Sequence, residues 1–330
     1  MGVQVPEASF MLSRVADSIY WMSRYVERVE NIARFIDVAL NISLDQPVGT
    51  PEQWLPLVMT TGDHDYFKDR YGDPTQQNVI QFLTFDREYP HSILSSLTAA
   101  RENARSIRET ISSEMWEQLN QFYYTVRDAA RAGSLPNNPH DFFHEVKMAS
   151  HLFEGITDHT MSHNEGWHFH RLGQFLERAD KTSRILDVKY FVLLPQPGDV
   201  GSPADDLQWS AVLRSVSGFE MYLKRQHVIH PDRVVEFLVL DPEFPRAIRF
   251  CVTEAAESLR AISGTPTGDV RNIAEQRMGE LVAELATADV NKIILSGLHE
   301  FLDSLQDKLN EIGNGIYETF IALRPEATTS

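Results

Sequence analysis

Two groups of charged residues could do chemistry, because the same acidic and basic types recur at the same spacing in both halves of the chain. Each group is a Glu-Arg pair followed by a second arginine, and the groups are Glu27-Arg28 with Arg34 and Glu177-Arg178 with Arg184. The glutamate and the later arginine are seven residues apart, so they face the same way on a helix. Buried charges need partners of opposite charge. The sequence therefore predicts either pairing between the two groups or contact with an anionic ligand.

A row of basic residues follows at positions i, i+4 and i+7, and a hydroxyl continues it at i+11. Its members are Arg101, Arg105, Arg108 and Ser112. On one continuous helix this spacing places all four side chains on one face. Two interpretations stay open: the arginines pair with Glu27 or Glu177 across a helix interface, or they bind an anion. The second half keeps only Arg260 at the matching positions, which indicates that one half retained a site.

Histidines are concentrated in one part of the chain, and pairs of them have metal-ligand spacing. The pairs, each four residues apart, are His140 with His144 and His159 with His163. Two imidazoles at this spacing can be directed at one metal ion, but neither a cysteine nor an HExxH signature joins them. A metal-binding helical enzyme is therefore kept as an alternative. His163 and His170 lie on the same polar stripe as Glu177, so either could transfer a proton.

Composition and missing motifs exclude several classes of protein. No glycine-rich phosphate loop and no nucleophile elbow are present, so we expect a non-catalytic or co-catalytic protein without a cofactor. The net charge of −17 argues against binding nucleic acid. The single cysteine, Cys251, lies in an apolar run and excludes an internal disulfide, which is typical of a reducing compartment. Without a signal peptide or a membrane-length apolar run, we expect a cytoplasmic protein that does not contact membranes.

These charged residues must be positioned by long amphipathic helices. Apolar residues recur at helical spacing from about Phe10 to about Ile42 and again in 163–194. The two halves match at an offset of 150, which becomes 155 after the loop 195–205. We therefore predict an all-α helical bundle of two tandem, pseudo-symmetric repeats, 1–160 and 161–330, in one compact body. The other expected helices are 90–112, 113–132, 139–162, 245–263, 268–287 and 289–323.

Three long segments, 11–38, 100–120 and 164–188, carry a resemblance to a known family. They resemble the alpha-E domain proteins, bacterial helical proteins named for their helical content and a Glu-Arg motif. The resemblance places that motif at Glu27-Arg28 and Glu177-Arg178. It places the downstream Arg-x-x-Asp at Arg34 with Asp37 and Arg184 with Asp187, and an Arg-Glu-Asn block at Arg101. One departure is His163-Asn164, where the family pattern implies a basic residue and an aspartate.

The resemblance also implies partners. Similar proteins occur beside, or fused to, a circularly permuted ATP-grasp protein and a transglutaminase-like protein, which implies amide or peptide ligation. We therefore expect a helical partner or accessory subunit of such a ligase, with an Arg/Glu-lined pocket for a carboxylate or peptide. The alternatives are the metal-binding enzyme and a purely structural scaffold. The residues expected to bind the ligand are Arg101, Arg105, Arg108, Ser112, Glu27, Arg28, Arg34, Glu177, Arg178, Arg184 and His170.

Overall fold

A computed structural model describes residues 11–45, 54–133, 138–192 and 203–322. Within these ranges the chain forms fifteen α-helices, two π-helical turns and no strand, so the all-α prediction is confirmed. The helices are α1 Ser13–Asp45, α2 Leu55–Met59, α3 His64–Tyr71, α4 Gln76–Ile80, α5 Ile93–Ser106, α6 Ser113–Ala132, α7 Pro139–Thr160, α8 Glu165–Val192, α9 Pro203–Ser215, α10 Phe219–Gln226, α11 Pro231–Leu240, α12 Ile248–Ser263, α13 Ile273–Thr287, α14 Val290–Ser296 and α15 Leu298–Ile316. The π-helical turns are Gln81–Phe85 and Tyr317–Ile321.

Helices α1 and α8 form the centre of the bundle, and the other long helices pack around them. Helix α1 packs against α5 and α7, and α8 packs against α12 and α15. Helix α6 contacts both α5 and α7, while α13 contacts both α12 and α15. The two halves therefore have corresponding neighbours, although their origin by duplication stays a prediction. Part of the predicted loop 195–205 lies outside the described residues, and α9 already begins at Pro203.

The two central helices approach each other closely, and they run in the same direction. Ile19 lies beside Gly166, and Arg28 pairs with Glu177 farther along. Later residues of α1 therefore contact later residues of α8, as in a parallel pair of helices. At Gly173 a Cβ atom would lie 2.4 Å from the carbonyl oxygen of Tyr20, so the close approach requires glycine. This approach brings the two Glu-Arg pairs to the same level of the bundle.

Two of the predicted helices are shorter than the sequence pattern indicated. Helix α5 ends at Ser106, so the expected helix 90–112 is wrong beyond that residue. The Ser112 hydroxyl accepts a hydrogen bond of 3.1 Å from the Met115 amide and starts a new helix, α6. The expected helix 289–323 is divided at Gly297, whose φ of 106° is incompatible with an α-helix.

The single cysteine has the environment that its apolar surroundings predict. Cys251 lies in α12 and is fully buried. Burial raises the pKa of its thiol to about 12, so the reactive thiolate is scarce at neutral pH. Within the described ranges, no helix combines the length and the apolar character that crossing a membrane requires.

Candidate anion-binding site

The two Glu-Arg pairs bind each other across the contact between α1 and α8. Glu27 accepts two hydrogen bonds from Arg178, Nε to Oε1 at 3.0 Å and Nη2 to Oε2 at 2.7 Å. Glu177 accepts two from Arg28, Nε to Oε1 at 2.7 Å and Nη2 to Oε2 at 3.1 Å. Each carboxylate is at most 1% exposed. The predicted pairing between the two groups is therefore confirmed, in the bidentate geometry that gives the strongest arginine–carboxylate contacts.

Glu27 belongs to a set of charges that we name the closed cluster. Its members are Glu27, Glu30, Arg34, Arg178 and Arg246. Arg246 bridges the two carboxylates, with Nη1 3.0 Å from Glu27 Oε1 and Nη2 2.6 Å from Glu30 Oε2. Arg34 pairs with Glu30 one turn earlier on α1. No side chain of the closed cluster is more than 12% exposed, so its ion pairs lie inside the protein.

Glu177 belongs to a second set, which we name the open cluster. Its members are Arg24, Arg28, Glu177, Asp180, Lys181 and Arg184. Arg24 Nε lies 2.9 Å from Glu177 Oε2, the oxygen that also accepts from Arg28 Nη2. Lys181 Nζ contacts Asp180 Oδ2 at 2.9 Å, and Arg184 Nε lies 3.0 Å from the same carboxylate. The open cluster therefore has four cationic side chains for two carboxylates.

A pocket of about 180 Å³ adjoins the open cluster. Helices α1, α8 and α15, the end of α2 and the turn before α5 supply its walls. The lining residues are Arg24, Arg28, Ile32, Phe35, Thr60, Thr61, Tyr89, His91, Asp180, Lys181, Arg184 and Asn310. All four cations of the open cluster are among them. The excess positive charge therefore borders a space that a ligand can enter.

The carboxylates of the open cluster are ionised, so its charge balance holds at neutral pH. Burial alone would raise the pKa of Glu177, but Arg28, Lys181 and Arg24 outweigh burial and lower that pKa well below its ordinary value. Burial likewise opposes ionisation of Asp180, whose pKa is lowered by Lys181 and Arg184. An anion entering the pocket would therefore meet a net positive charge.

Two of the arginines retain hydrogen-bond donors for such an anion. Arg24 uses Nε on Glu177 and Nη1 on the Tyr20 hydroxyl at 3.0 Å. Arg184 uses only Nε, which binds Asp180. Within the described part of the chain, Nη2 of Arg24 and both Nη atoms of Arg184 have no hydrogen-bond partner. Guanidinium groups bind carboxylates and phosphates through paired donors of this kind.

His91 adds a neutral donor at the mouth of the pocket. Arg28 Nη1 lies 2.9 Å from His91 Nδ1. A guanidinium can only donate, so Nδ1 accepts and the ring hydrogen lies on Nε2. Partial burial and the neighbouring charge of Arg28 lower the pKa of His91, which keeps the imidazole neutral at pH 7. Its Nε2–H is therefore available to a ligand.

The structure divides the predicted ligand-binding residues between different environments. Arg28 and Arg184 line the pocket, and Glu177 lies directly behind them. The predicted residues that belong to the closed cluster instead are Glu27, Arg34 and Arg178. His170 is 2% exposed, binds Glu154 through Nε2 at 2.8 Å and does not line the pocket.

The predicted arginine row does not join either cluster. Arg101 Nε donates to Asn120 Oδ1 at 2.7 Å, Arg105 pairs with Glu102, and Arg108 lies over the Trp116 ring at 4.9 Å. Pairing with Glu27 or Glu177 is therefore wrong. The arginines do not reach these carboxylates for two reasons. The side of α5 that packs on the core consists mainly of alanines and other apolar residues, and α5 ends before Arg108. Ser112 caps α6 and contacts the Thr160 hydroxyl at 2.7 Å, so it does not continue the row.

The histidines proposed as metal ligands have separate partners. His140 Nδ1 lies 2.9 Å from Asp37 Oδ1, and the His163 ring stacks on Trp167 at 4.0 Å between centroids. His144 and His159 are exposed on α7. Among the described residues, no three His, Cys, Asp or Glu side chains come together in a group that could hold a metal ion. The structure therefore does not gather these histidines into one site.

Several pocket residues were not selected from the sequence. Arg24 and Lys181 lie one turn from the Glu-Arg pairs on the polar stripes of α1 and α8, and this spacing could have identified them. Tyr89 and His91 come from the turn before α5, and Thr60 comes from the end of α2. Helical periodicity gives no signal for residues in turns.

Comparisons with known proteins identify the family of the chain. Residues 11–321 match the model of Alpha-E, described as a predicted alpha-helical domain with a conserved ER motif. Relatives include one uncharacterised protein of Mycobacterium bovis and two of Mycobacterium tuberculosis, each 21% identical over 94% of this chain. The chain spans 37% of the length of these relatives. No solved structure matches the chain.

Proposed function

The chain belongs to the Alpha-E family, and we propose that it is a helical partner or accessory subunit of an ATP-grasp amide or peptide ligase. In this role it acts in the cytoplasm and binds a carboxylate or peptide-derived anion at the open cluster. We propose a transglutaminase-like protein as a further partner. The chain itself is non-catalytic or co-catalytic, and the ligase supplies the ATP chemistry.

One observation carries the ligand-binding part of the proposal. Four cationic side chains face two carboxylates beside a pocket, and Arg24 and Arg184 keep guanidinium nitrogens free of partners among the described residues. The surplus of two positive charges exceeds the surplus of one in the closed cluster, and uncompensated charge away from water is costly. An anionic ligand would supply the missing negative charge.

The partnership with a ligase rests on the resemblance of the three long sequence segments to alpha-E domain proteins. The length of the relatives is consistent with it, because in them an equivalent helical unit is joined to further polypeptide. A unit that works beside a second protein or domain needs only to hold a ligand or position it. The chain has no phosphate-binding motif in its sequence, which is consistent with a ligase that binds ATP while this chain holds the ligand.

The proposal is tested by reconstituting the ligase. The ATP-grasp protein of the same organism is purified with and without this chain, and peptide-dependent ATP consumption is measured. We expect the two proteins to co-purify and turnover to depend on this chain. Arg184→Gln should lower turnover, whereas Arg105→Gln, which changes an exposed arginine outside the pocket, should not. Equal turnover with and without the chain, or no complex, contradicts the proposal.

A structural scaffold is the second candidate, and the closed cluster favours it. Glu27, Arg178 and Arg246 join α1, α8 and the segment before α12, and none of these side chains is more than 12% exposed. If the open cluster has the same role, the chain will bind neither simple carboxylates nor a ligase. Anion-binding measurements therefore separate the two candidates, whereas loss of stability in variants does not.

A further inference from the structure

Three hydroxyl oxygens line the same pocket, and all three can only accept hydrogen bonds. Thr60 Oγ1 donates its hydrogen to the Leu57 carbonyl at 2.7 Å. Thr61 Oγ1 donates to the Val58 carbonyl at 2.6 Å, and Tyr89 Oη donates to an Asp63 carboxylate oxygen at 2.8 Å. A hydroxyl has one hydrogen and two lone pairs. These oxygens therefore offer only lone pairs to a ligand.

The same pocket offers donors from its cationic residues. Arg24 and Arg184 have Nη atoms without partners among the described residues, and His91 has its Nε2–H. A fully suitable ligand must both accept and donate hydrogen bonds, because each unpaired polar group in a desolvated contact lowers affinity. A sulfate ion can accept but cannot donate. It would leave the lone pairs of Thr60 Oγ1 and Tyr89 Oη without a donor, whereas Thr61 Oγ1 already accepts from the Asp63 amide at 3.1 Å.

Size limits the ligand further. The pocket volume of about 180 Å³ is below the roughly 300–1,000 Å³ of pockets that enclose a drug-sized molecule. It has room for one small group or for the end of a chain that continues into solvent. Ile32 and Phe35 add an apolar surface on which a short side chain can pack.

Building on the proposed function, we propose that the pocket binds the free carboxyl terminus of an amino acid or peptide. The carboxylate accepts hydrogen bonds from Arg24 and Arg184. The N–H of the same terminal residue donates to the oxygen of Thr60 or Tyr89. The rest of the peptide leaves through the open side of the pocket, so recognition is confined to the last residue.

Three small probes test each part of this assignment by isothermal titration calorimetry on the wild-type chain. N-acetyl-alanine carries both the carboxylate and the N–H. O-acetyl-lactate has the same shape and charge but an ester oxygen in place of the N–H, and N-acetyl-alanine amide lacks the charge. We expect N-acetyl-alanine to bind roughly tenfold more tightly than O-acetyl-lactate, as one lost hydrogen bond predicts. The amide should show no measurable binding.

Variants locate the acceptor. In the double variant Thr60→Val/Tyr89→Phe, the preference for N-acetyl-alanine over O-acetyl-lactate should fall below about twofold. Thr98→Val is the matched control, because Thr98 on α5 also donates to a helix carbonyl at 2.7 Å but lies outside the pocket. It should leave the preference unchanged.

The possible failures are distinguishable. Equal affinity of the wild-type chain for N-acetyl-alanine and O-acetyl-lactate overturns the assignment of a carboxyl terminus, although the anion pocket of the proposed function stands. Tighter binding of sulfate than of N-acetyl-alanine also overturns the assignment. If neither carboxylate nor sulfate binds, the pocket part of the proposed function fails as well. The wild-type comparison gives a result even if the double variant does not fold.

Discussion

The closed and open clusters contain related residues, yet they differ in exposure. The open cluster borders the pocket of about 180 Å³, whereas no side chain of the closed cluster is more than 12% exposed. At an offset of 150, Glu27 corresponds to Glu177 and Arg34 to Arg184. The residue that differs most comes from the segment related by an offset of 155, where Arg246 corresponds to His91. Arg246 reaches both carboxylates of its cluster, whereas the shorter imidazole of His91 stops at Arg28.

The difference in charge comes from other positions. The closed cluster has three arginines for two carboxylates, and His151 Nε2 adds a contact to Glu30 at 2.8 Å. The open cluster has Arg24 and Lys181 where the matching positions of the other half hold Gln174 and Asn31. One Glu-Arg pairing thus supports the fold, while its counterpart also presents surplus cations to solvent. In the proposed function, the residues that bind the anion are therefore neighbours of the motif as well as the motif itself.

Removing the central carboxylates should give the largest effect and should distinguish the clusters. Glu177→Gln leaves Arg24 and Arg28 without a carboxylate partner, so we expect unfolding to require about 3–5 kcal/mol less free energy. Glu27→Gln should cost less, because Glu30 still binds Arg246. Chemical denaturation with urea measures both.

Added acetate sharpens this comparison. It should restore part of the stability of Glu177→Gln, because the pocket admits an anion, and little of the stability of Glu27→Gln. Equal rescue of the two variants would contradict the distinction between an open and a closed cluster.

Acid should weaken both clusters over the same range of pH. The folded pKa values of Glu27, Glu177 and Asp180 are lowered, because their cationic partners outweigh burial. Groups with lowered pKa values stabilise the fold fully above their unfolded pKa, about 4, and this stability is lost as the pH falls through the folded values. We therefore expect the contribution of these groups to be constant from pH 5 to pH 8 and to decline in stronger acid.

A matched variant provides the check on this acid dependence. Glu177→Gln removes one titrating group, so its stability should change less steeply below about pH 4 than that of the wild type. Urea denaturation across this range measures the slopes. A steeper acid dependence in the variant would show that other carboxylates dominate.

The two matching arginines should differ in their effect on stability. Arg34 is buried with Glu30, so Arg34→Met should lower the free energy of unfolding by about 2–3 kcal/mol. Arg184 is 24% exposed and, among the described residues, pairs only with Asp180, so Arg184→Met should cost less than about 1 kcal/mol. Thermal unfolding by circular dichroism provides the comparison. A larger loss of stability in Arg184→Met than in Arg34→Met would contradict the roles assigned to the two clusters.

The smallest effects on stability are expected for variants of Arg105 at the end of α5 and Ser112 at the start of α6. Ser112→Ala removes the N-cap of α6 and should cost about 1 kcal/mol. Arg105→Ala changes an exposed side chain and should stay within about 0.5 kcal/mol. Neither variant should alter anion binding, measured by calorimetry. A loss of anion binding in either variant would show that the arginine row does belong to the ligand site.

Helices and the central pairing could be predicted from sequence because both depend on residue type at regular spacing. The apolar stripe of α1 and the matching Glu-Arg pairs indicated long helices that bind each other. The prediction that the arginine row lies on one helix face was wrong, because periodicity does not show where a helix ends. Ser112 caps the next helix and therefore does not continue the row. Part of the pocket lining was missed because Thr60 and His91 reach it from turns. Their proximity depends on tertiary packing.

The most direct test of the central claim is calorimetric titration of N-acetyl-alanine into the wild-type chain, Arg184→Met and Arg34→Met. The account predicts that Arg184→Met loses at least about tenfold in affinity, because a charge-assisted hydrogen bond to the ligand is removed. Folded Arg34→Met should bind as tightly as the wild type. Equal affinity in the two variants, or no binding to the wild type, would contradict the claim that the open cluster is the ligand site.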